Sequence, residues 1–105
     1  MFAALRFPAA DVHALAVARA AEARQLPPAT LRTLPPWSGE TVRVRGADIR
    51  LATYREDLPN GAVRVVAQAY LARLLGLGTI AAVGFDVDSH GDLRELCNED
   101  LWDYT

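Results

Sequence analysis

Beyond Thr41 the apolar residues of this chain fall on alternate positions, a period that suits strands with one buried face and fits a helix poorly. Val42 and Val44 alternate with Arg43 and Arg45, and after a turn at Gly46-Ala47 the set resumes as Ile49, Leu51 and Thr53. Closing that turn between Arg45 and Asp48 sets Arg43 opposite Arg50. It also puts both valines on the face of Ile49 and Leu51. Two further apolar sets occupy odd numbers: Val63, Val65, Ala67, Ala69 and Leu71, then Ala81, Val83, Phe85 and Val87.

Turn chemistry between these runs fixes their register. Val63 and its odd-numbered fellows share a face with Leu51 and Thr53 when the loop is Pro59-Asn60-Gly61, closed by Leu58 and Ala62. Pro presets the first turn position, Asn suits the second, and Gly accepts a left-handed φ. Ser89-His90-Gly91 repeats the pattern and pairs Val87 with Leu93 and Asp86 with Arg94. A helix over Gly61 to Leu75 competes, because Val63, Val66, Ala67, Tyr70, Leu71, Leu74 and Leu75 also fit helical spacing. The β-branched opening Val63-Arg64-Val65-Val66 and the hairpin turn before it favour the strand.

Upstream, Asp11 is placed to cap an Ala-rich helix over 11–25, with a shallow stripe of Val12, Leu15, Ala16, Ala20 and Ala23. Residues 26–39 carry two Pro-Pro pairs and read as an ordered crossover without helix, anchored to the core by Trp37. Residues 98–105 read as a short turn bringing Leu101, Trp102 and Tyr104 to the core edge. The expected fold is α+β: one domain over 1–105, with the N-terminal helix packed on a four- or five-stranded antiparallel β-meander over 41–97. The Pro36-Trp37 pair and this layout resemble cystatin-like folds. The inhibitor motifs of that family are absent or out of order, so no residue role carries over.

At 51% hydrophobic and 23% charged, the 105-residue chain can bury a core. Every basic residue apart from the histidines is Arg, and the net charge of −2 argues against a general nucleic-acid binder. From Asp86 onward the chain is acidic, with Arg94 its single base. Cys97 is the one cysteine, which excludes an internal disulfide and suits a reducing, cytoplasmic setting. The N-terminus does not read as a signal peptide, and the apolar run Ala67 to Phe85 is interrupted by Gln68, Arg73 and three glycines, so no membrane span is expected.

Few residues point to chemistry. Asp86-Val87-Asp88-Ser89-His90-Gly91-Asp92 has the opening pattern of a calcium loop, but its twelfth position is Cys97 instead of Glu and no flanking helices are expected. A hairpin turn with an Asp86 to Arg94 pair accounts for the same residues. His13 and His90 lack a third converging ligand, and Cys97 reads as a small buried strand residue. No catalytic residue, cofactor or metal is therefore assigned.

The expected binding surface is the sheet face away from the helix, holding Arg43, Arg45, Arg50, Tyr54, Glu56, Arg64, Val66, Gln68 and Tyr70, with Glu56 and Arg64 paired. In the apolar connection Leu71 to Leu77, Leu74, Leu75 and Leu77 need cover from the helix, the Pro-rich crossover or another chain, and a homodimer is the simplest external cover. The candidate binding set is Arg43, Arg50, Tyr54, Arg64, Gln68, Tyr70, Leu74 and Leu75. The expected role is a bacterial-type interaction or regulatory module with a protein partner. The alternative is a small-molecule binder or cofactor-free enzyme with a pocket between helix and sheet, drawing on Tyr54, Tyr70, Asp86 or His90.

Overall fold

The computed structural model describes residues 9–72 and 78–105. Its elements run in chain order as helix α1 (Ala9–Arg24), helix α2 (Pro28–Leu31), and strands β1 (Trp37–Val44), β2 (Ala47–Asp57), β3 (Val63–Ala72), β4 (Gly78–Val87) and β5 (Leu93–Glu95). The five strands make one antiparallel sheet in sequential order, a meander with α1 against one face. The α+β architecture is thus the expected one. Residues Val63–Ala72 form a strand and not the competing helix. Among the described residues no helix is long and apolar enough to cross a membrane.

Local chemistry accounts for the three described turns. In the β1–β2 hairpin Val44 pairs with Ala47, so the turn is Arg45-Gly46, with φ of 51° and 81°. Positive φ at both central positions is the mirror-image turn that matches strand twist. This corrects the expected Gly46-Ala47 turn: Arg43 lies opposite Asp48, and Thr41 opposite Arg50. Each pairing differs from expectation by two residues, one full strand period, so every side chain keeps its predicted face. The next loop is Pro59–Gly61 as expected, closed by the Leu58 N–H to the Ala62 carbonyl at 2.9 Å. Asn60 shares the left-handed conformation with Gly61. The last hairpin pairs Val87 with Leu93 and Asp86 with Arg94, closed by the Asp88 N–H to the Asp92 carbonyl at 3.0 Å.

The core lies between α1 and the sheet face formed by Val42 and Val44 of β1 and the odd-numbered residues of β2, β3 and β4. Val12, Ala16, Ala20 and Ala23 form the buried stripe of α1. These small residues let the helix axis approach β3 and β4 closely, and the sheet supplies most of the apolar volume. One cluster joins Val12 and Ala16 to Ile49, Leu51, Ala69 and Leu71. A second joins Ala23 and Leu31 to Val63, Val65, Phe85 and Val87. Full burial of a Val- or Phe-sized side chain contributes about 1.5–3 kcal/mol, so these two clusters dominate the favourable energy of the fold.

The connection from α1 to β1 departs from expectation. Pro28–Leu31 forms one helical turn, with Pro28 in the first turn where its missing N–H costs no hydrogen bond. That turn delivers Leu31 to the second cluster at 2% exposure, so Leu31 anchors the crossover. Trp37 does not: it opens β1 and is 58% exposed. Asp11 sits within the first turn of α1 instead of capping it, and its carboxylate meets Arg45 Nε at 3.3 Å. Cys97 lies just beyond β5, exposed and not buried in a strand.

Candidate functional site

Even-numbered residues of β2 and β3 point away from α1, as the alternation requires. Cross-strand neighbours on that outer face include Arg50 with Tyr70, Ala52 with Gln68, Tyr54 with Val66, and Glu56 with Arg64. The face is not uniformly solvated. Residues 96–105 return across it after β5, beginning with the Leu96 N–H to the Gly84 carbonyl at 3.0 Å. Leu101 is 7% exposed and Val66 is fully buried. Tyr104 packs edge-on against Tyr54, ring centroids 5.5 Å apart, and its hydroxyl donates to Glu56 Oε2 at 2.8 Å. Gln68 joins both sides: its Oε1 accepts from the Tyr54 hydroxyl at 3.2 Å and its Nε2 donates to the Tyr104 carbonyl at 2.5 Å. Leu101 is therefore buried as expected, but on the outer side of the sheet, where Tyr104 also lies, and Trp102 is 77% exposed.

Beside this tail lies a charge network. Arg64 forks onto Asp86, with Nε to Oδ1 at 2.7 Å and Nη2 to Oδ2 at 3.0 Å. Arg94 Nη2 reaches the same Oδ2 at 2.8 Å, and its Nη1 meets Asp100 Oδ2 at 3.3 Å. Burial alone would raise the Asp86 pKa, but hydrogen bonds from Arg64 and Arg94, with their charges, hold it below the ordinary carboxylate value. Arg64 consequently has its carboxylate partner in Asp86 and not in Glu56.

The Asp-rich hairpin uses its oxygens as turn and network elements. Asp88 Oδ1 accepts from the backbone N–H groups of His90 and Asp92, at 2.8 and 3.0 Å. Among the described residues no three His, Cys, Asp or Glu side chains converge as a metal-binding group would require. His13 and His90 are both exposed, on α1 and at a loop tip.

The other half of the outer face is open. A groove of about 420 Å³ is lined by Trp37, Thr41, Arg50, Tyr54, Gln68 and Tyr70, with Gly39, Glu40, Leu51 and Ala52 completing its walls. A neighbouring hollow of about 490 Å³ shares Thr41, Arg50 and Tyr70 and continues to Asp48 and Ala72. Glycines shape both ends. A Cβ at Gly39 would stand 2.6 Å from Trp37 Cζ2, and one at Gly78 would stand 2.9 Å from Tyr70 Cε2, so both aromatic rings lie down over bare backbone.

Arg50 occupies the shared wall of the two hollows. Each of the other eight described arginines meets a carboxylate or a backbone carbonyl. Arg50 has no such partner among the described residues. A guanidinium presents planar, forked donors that match a carboxylate, and aromatic rings beside it supply apolar contact area.

Of the predicted binding residues, Arg50, Tyr54, Gln68 and Tyr70 meet in this groove. Arg43 lies outside it and pairs with Asp48 at 2.8 Å, and Arg64 is held by Asp86. Leu74 and Leu75 lie outside the described residues. Sequence reasoning missed Trp37, whose position two before Gly39 and three before Glu40 in an alternating segment was the available signal. It also missed the tail, which carries no periodicity to reveal where it lies. The interface of α1 with the sheet, where a pocket was the alternative expectation, is packed with side chains such as Val12, Ala16, Ile49 and Ala69 at 0% exposure. Asp86 and His90 do not line the groove that holds Tyr54 and Tyr70.

Fold and site together define a small α+β protein whose antiparallel meander carries an aromatic groove with a guanidinium, Arg50, that has no partner among the described residues. Comparison with protein-family models, curated proteins and solved structures finds no match to this chain.

Proposed function

We propose that this chain is a non-catalytic interaction module that grips an acidic segment of a partner protein in the outer-face groove. The observation that carries the reading is Arg50: a guanidinium with no hydrogen-bond or ion-pair partner among the described residues, across the strands from Tyr70, in a groove also walled by Trp37 and Tyr54. Arg, Tyr and Trp dominate the energetics of protein interfaces because each combines large contact area with directed hydrogen bonding. A carboxylate of the partner meets the Arg50 fork, and an adjoining apolar side chain lies between the rings.

The test is an array of acidic peptides probed with the wild-type chain and with Arg50→Glu. The expected result is a set of peptides whose binding weakens by about tenfold or more in Arg50→Glu, as loss of one charge-assisted pair implies. Their binding should also fall as salt is raised. Peptides that bind both proteins equally would remove the basis of the proposal.

A further inference from the structure

The tail that crosses the outer face has the chemistry of the ligand proposed for the groove. Residues 98–105 contain Glu99, Asp100 and Asp103 and no basic residue. One buried apolar side chain, Leu101, and a set of polar and aromatic contacts hold them: Tyr104 packs on Tyr54, donates its hydroxyl to Glu56 and accepts from Gln68 at its carbonyl, and Asp100 faces Arg94 at 3.3 Å and Arg64 at 4.0 Å. Partly exposed ion pairs of this kind contribute little. Trp102, the largest side chain of the segment, is 77% exposed and adds little burial.

The tail and the groove also share residues. Tyr54 and Gln68 line the open groove while holding Tyr104 by ring packing and by the Nε2 to carbonyl hydrogen bond. An occupant extending from Arg50 along β2 and β3 therefore meets the tail at Tyr54 and Gln68. The residues beneath, Val66 fully buried and Arg64, continue the same face.

We infer that the whole Arg and Tyr face is a docking surface for an acidic, aromatic-bearing segment of a partner protein, and that residues 98–105 occupy its far half as a tethered, displaceable copy of that segment. The inference rests on the proposed interaction role and names the partner's chemistry. Tethering gives such a tail an effective concentration on the order of millimolar, so it masks the face without a tight intrinsic affinity.

The experiment uses an acetylated peptide of sequence 98–105 as the probe. Its target is the full chain with Leu101→Ser and Tyr104→Ala, substitutions confined to the tail that leave the receiving face intact. The expected result is binding about tenfold or more tighter than to the wild-type chain, weakened again by Arg64→Glu. Binding to neither protein, or equally to both, would overturn the inference.

Amide hydrogen exchange on the wild-type chain supplies an outcome that does not depend on the variant folding. The Leu101 and Tyr104 amides should exchange through local opening, insensitive to low denaturant, while those of β3 exchange only on global unfolding. Tail amides that open only together with β3 would mark the segment as a fixed part of the fold and refute displacement. Failure of the tail peptide alongside retained Arg50-dependent binding of other acidic peptides would sink this inference alone. Tail-peptide binding with no Arg50-dependent ligand would sink the groove reading alone.

Discussion

Arg64 and Asp86 face each other across β3 and β4, joined by two hydrogen bonds of 2.7 and 3.0 Å in the forked geometry that a guanidinium and a carboxylate favour. Asp86 is 8% exposed and also accepts from Arg94. One carboxylate thus ties β3, β4 and β5 together on the side of the sheet that α1 does not cover. It also orients the two arginines that Asp100 of the tail approaches.

Replacing Asp86 with Asn should cost about 2 kcal/mol, because the buried carboxylate charge that the half-buried Arg64 fork depends on is lost, along with the acceptor of the exposed Arg94. For a chain of this size the melting temperature should fall by roughly 8–15 °C. Chemical denaturation of the variant measures the change directly. A loss below about 0.5 kcal/mol would mean that Asp86 behaves as an ordinary surface carboxylate.

The same residue predicts an acid limb. Burial pushes the Asp86 pKa up, the Arg64 and Arg94 hydrogen bonds and charges more than offset this, and the folded value lies below 3.8. Its ionised form therefore stabilises the fold fully above that pH, and the contribution disappears as pH falls below 3.8 towards the depressed folded value. Asp88 and Asp100 are shifted downward too and act in the same window. Stability measured against pH should decline on the acid side, and Asp86→Asn should flatten part of that decline.

Tyr104 predicts a separate alkaline limb. Burial, then its hydrogen bond to Glu56 and the charge of that carboxylate, push the phenol from 10.0 up to about 12. The neutral phenol is the form the folded tail retains, so its contribution is complete below pH 10 and is lost as pH rises from 10 towards 12. Ultraviolet titration of tyrosinate should show a group ionising late, towards pH 12, and Tyr104→Phe should remove it. An alkaline titration that Tyr104→Phe leaves unchanged at its late end would contradict the packing of Tyr104 against Tyr54 and Glu56.

Two glycines should respond to alanine for different reasons. Gly46 has φ of 81° and open space around its missing Cβ, so Gly46→Ala meets only backbone strain, on the order of 1–2 kcal/mol. Gly84 has ordinary φ, but a Cβ there would lie 2.5 Å from the Val65 carbonyl oxygen and 3.1 Å from Leu96 Cδ1. Gly84→Ala should therefore cost as much or more, roughly 1–3 kcal/mol as overpacking does, and should loosen the tail by displacing Leu96. Denaturation midpoints together with exchange rates of the tail amides separate the two effects.

Gly39→Ala tests the groove without touching its polar residues. The added methyl would fall 2.6 Å from Trp37 Cζ2, so the indole must swing off the backbone. In a Trp102→Phe background the remaining tryptophan emission should shift, and affinity for acidic peptides should fall. Unchanged emission and affinity would mean that Trp37 does not shape the bound state.

How far the sequence reaches can be read from these same residues. The strands were legible because one buried face imposes a period of two, and Pro59-Asn60-Gly61 and Ser89-His90-Gly91 named their loops through local φ preferences. At Arg45-Gly46 the same logic erred by two residues. Moving the turn by one position shifts each pairing by a full strand period, so the alternation of Val42 and Val44 carries no information about the choice. Tertiary and turn energetics decided it, by accepting Arg45 at φ of 51°.

What the sequence by itself determined, within α1 and the strands from Thr41 onward, was which residues face the core and which face outward, since alternation and helical spacing are properties of the chain. The tertiary structure alone decided what became of the outward set. Arg43 went to Asp48 and Arg64 to Asp86, the tail covered Val66 and Tyr54, and Trp37 lay down over Gly39 in the groove of Arg50, which has no partner among the described residues. The Arg64 to Asp86 pair and the contacts of residues 96–105 join segments far apart in the chain, where charge and shape choose among many possible partners; the local pairs, Arg43 with Asp48 and Trp37 over Gly39, followed from the turn register and ring rotamer, and no local period records either choice.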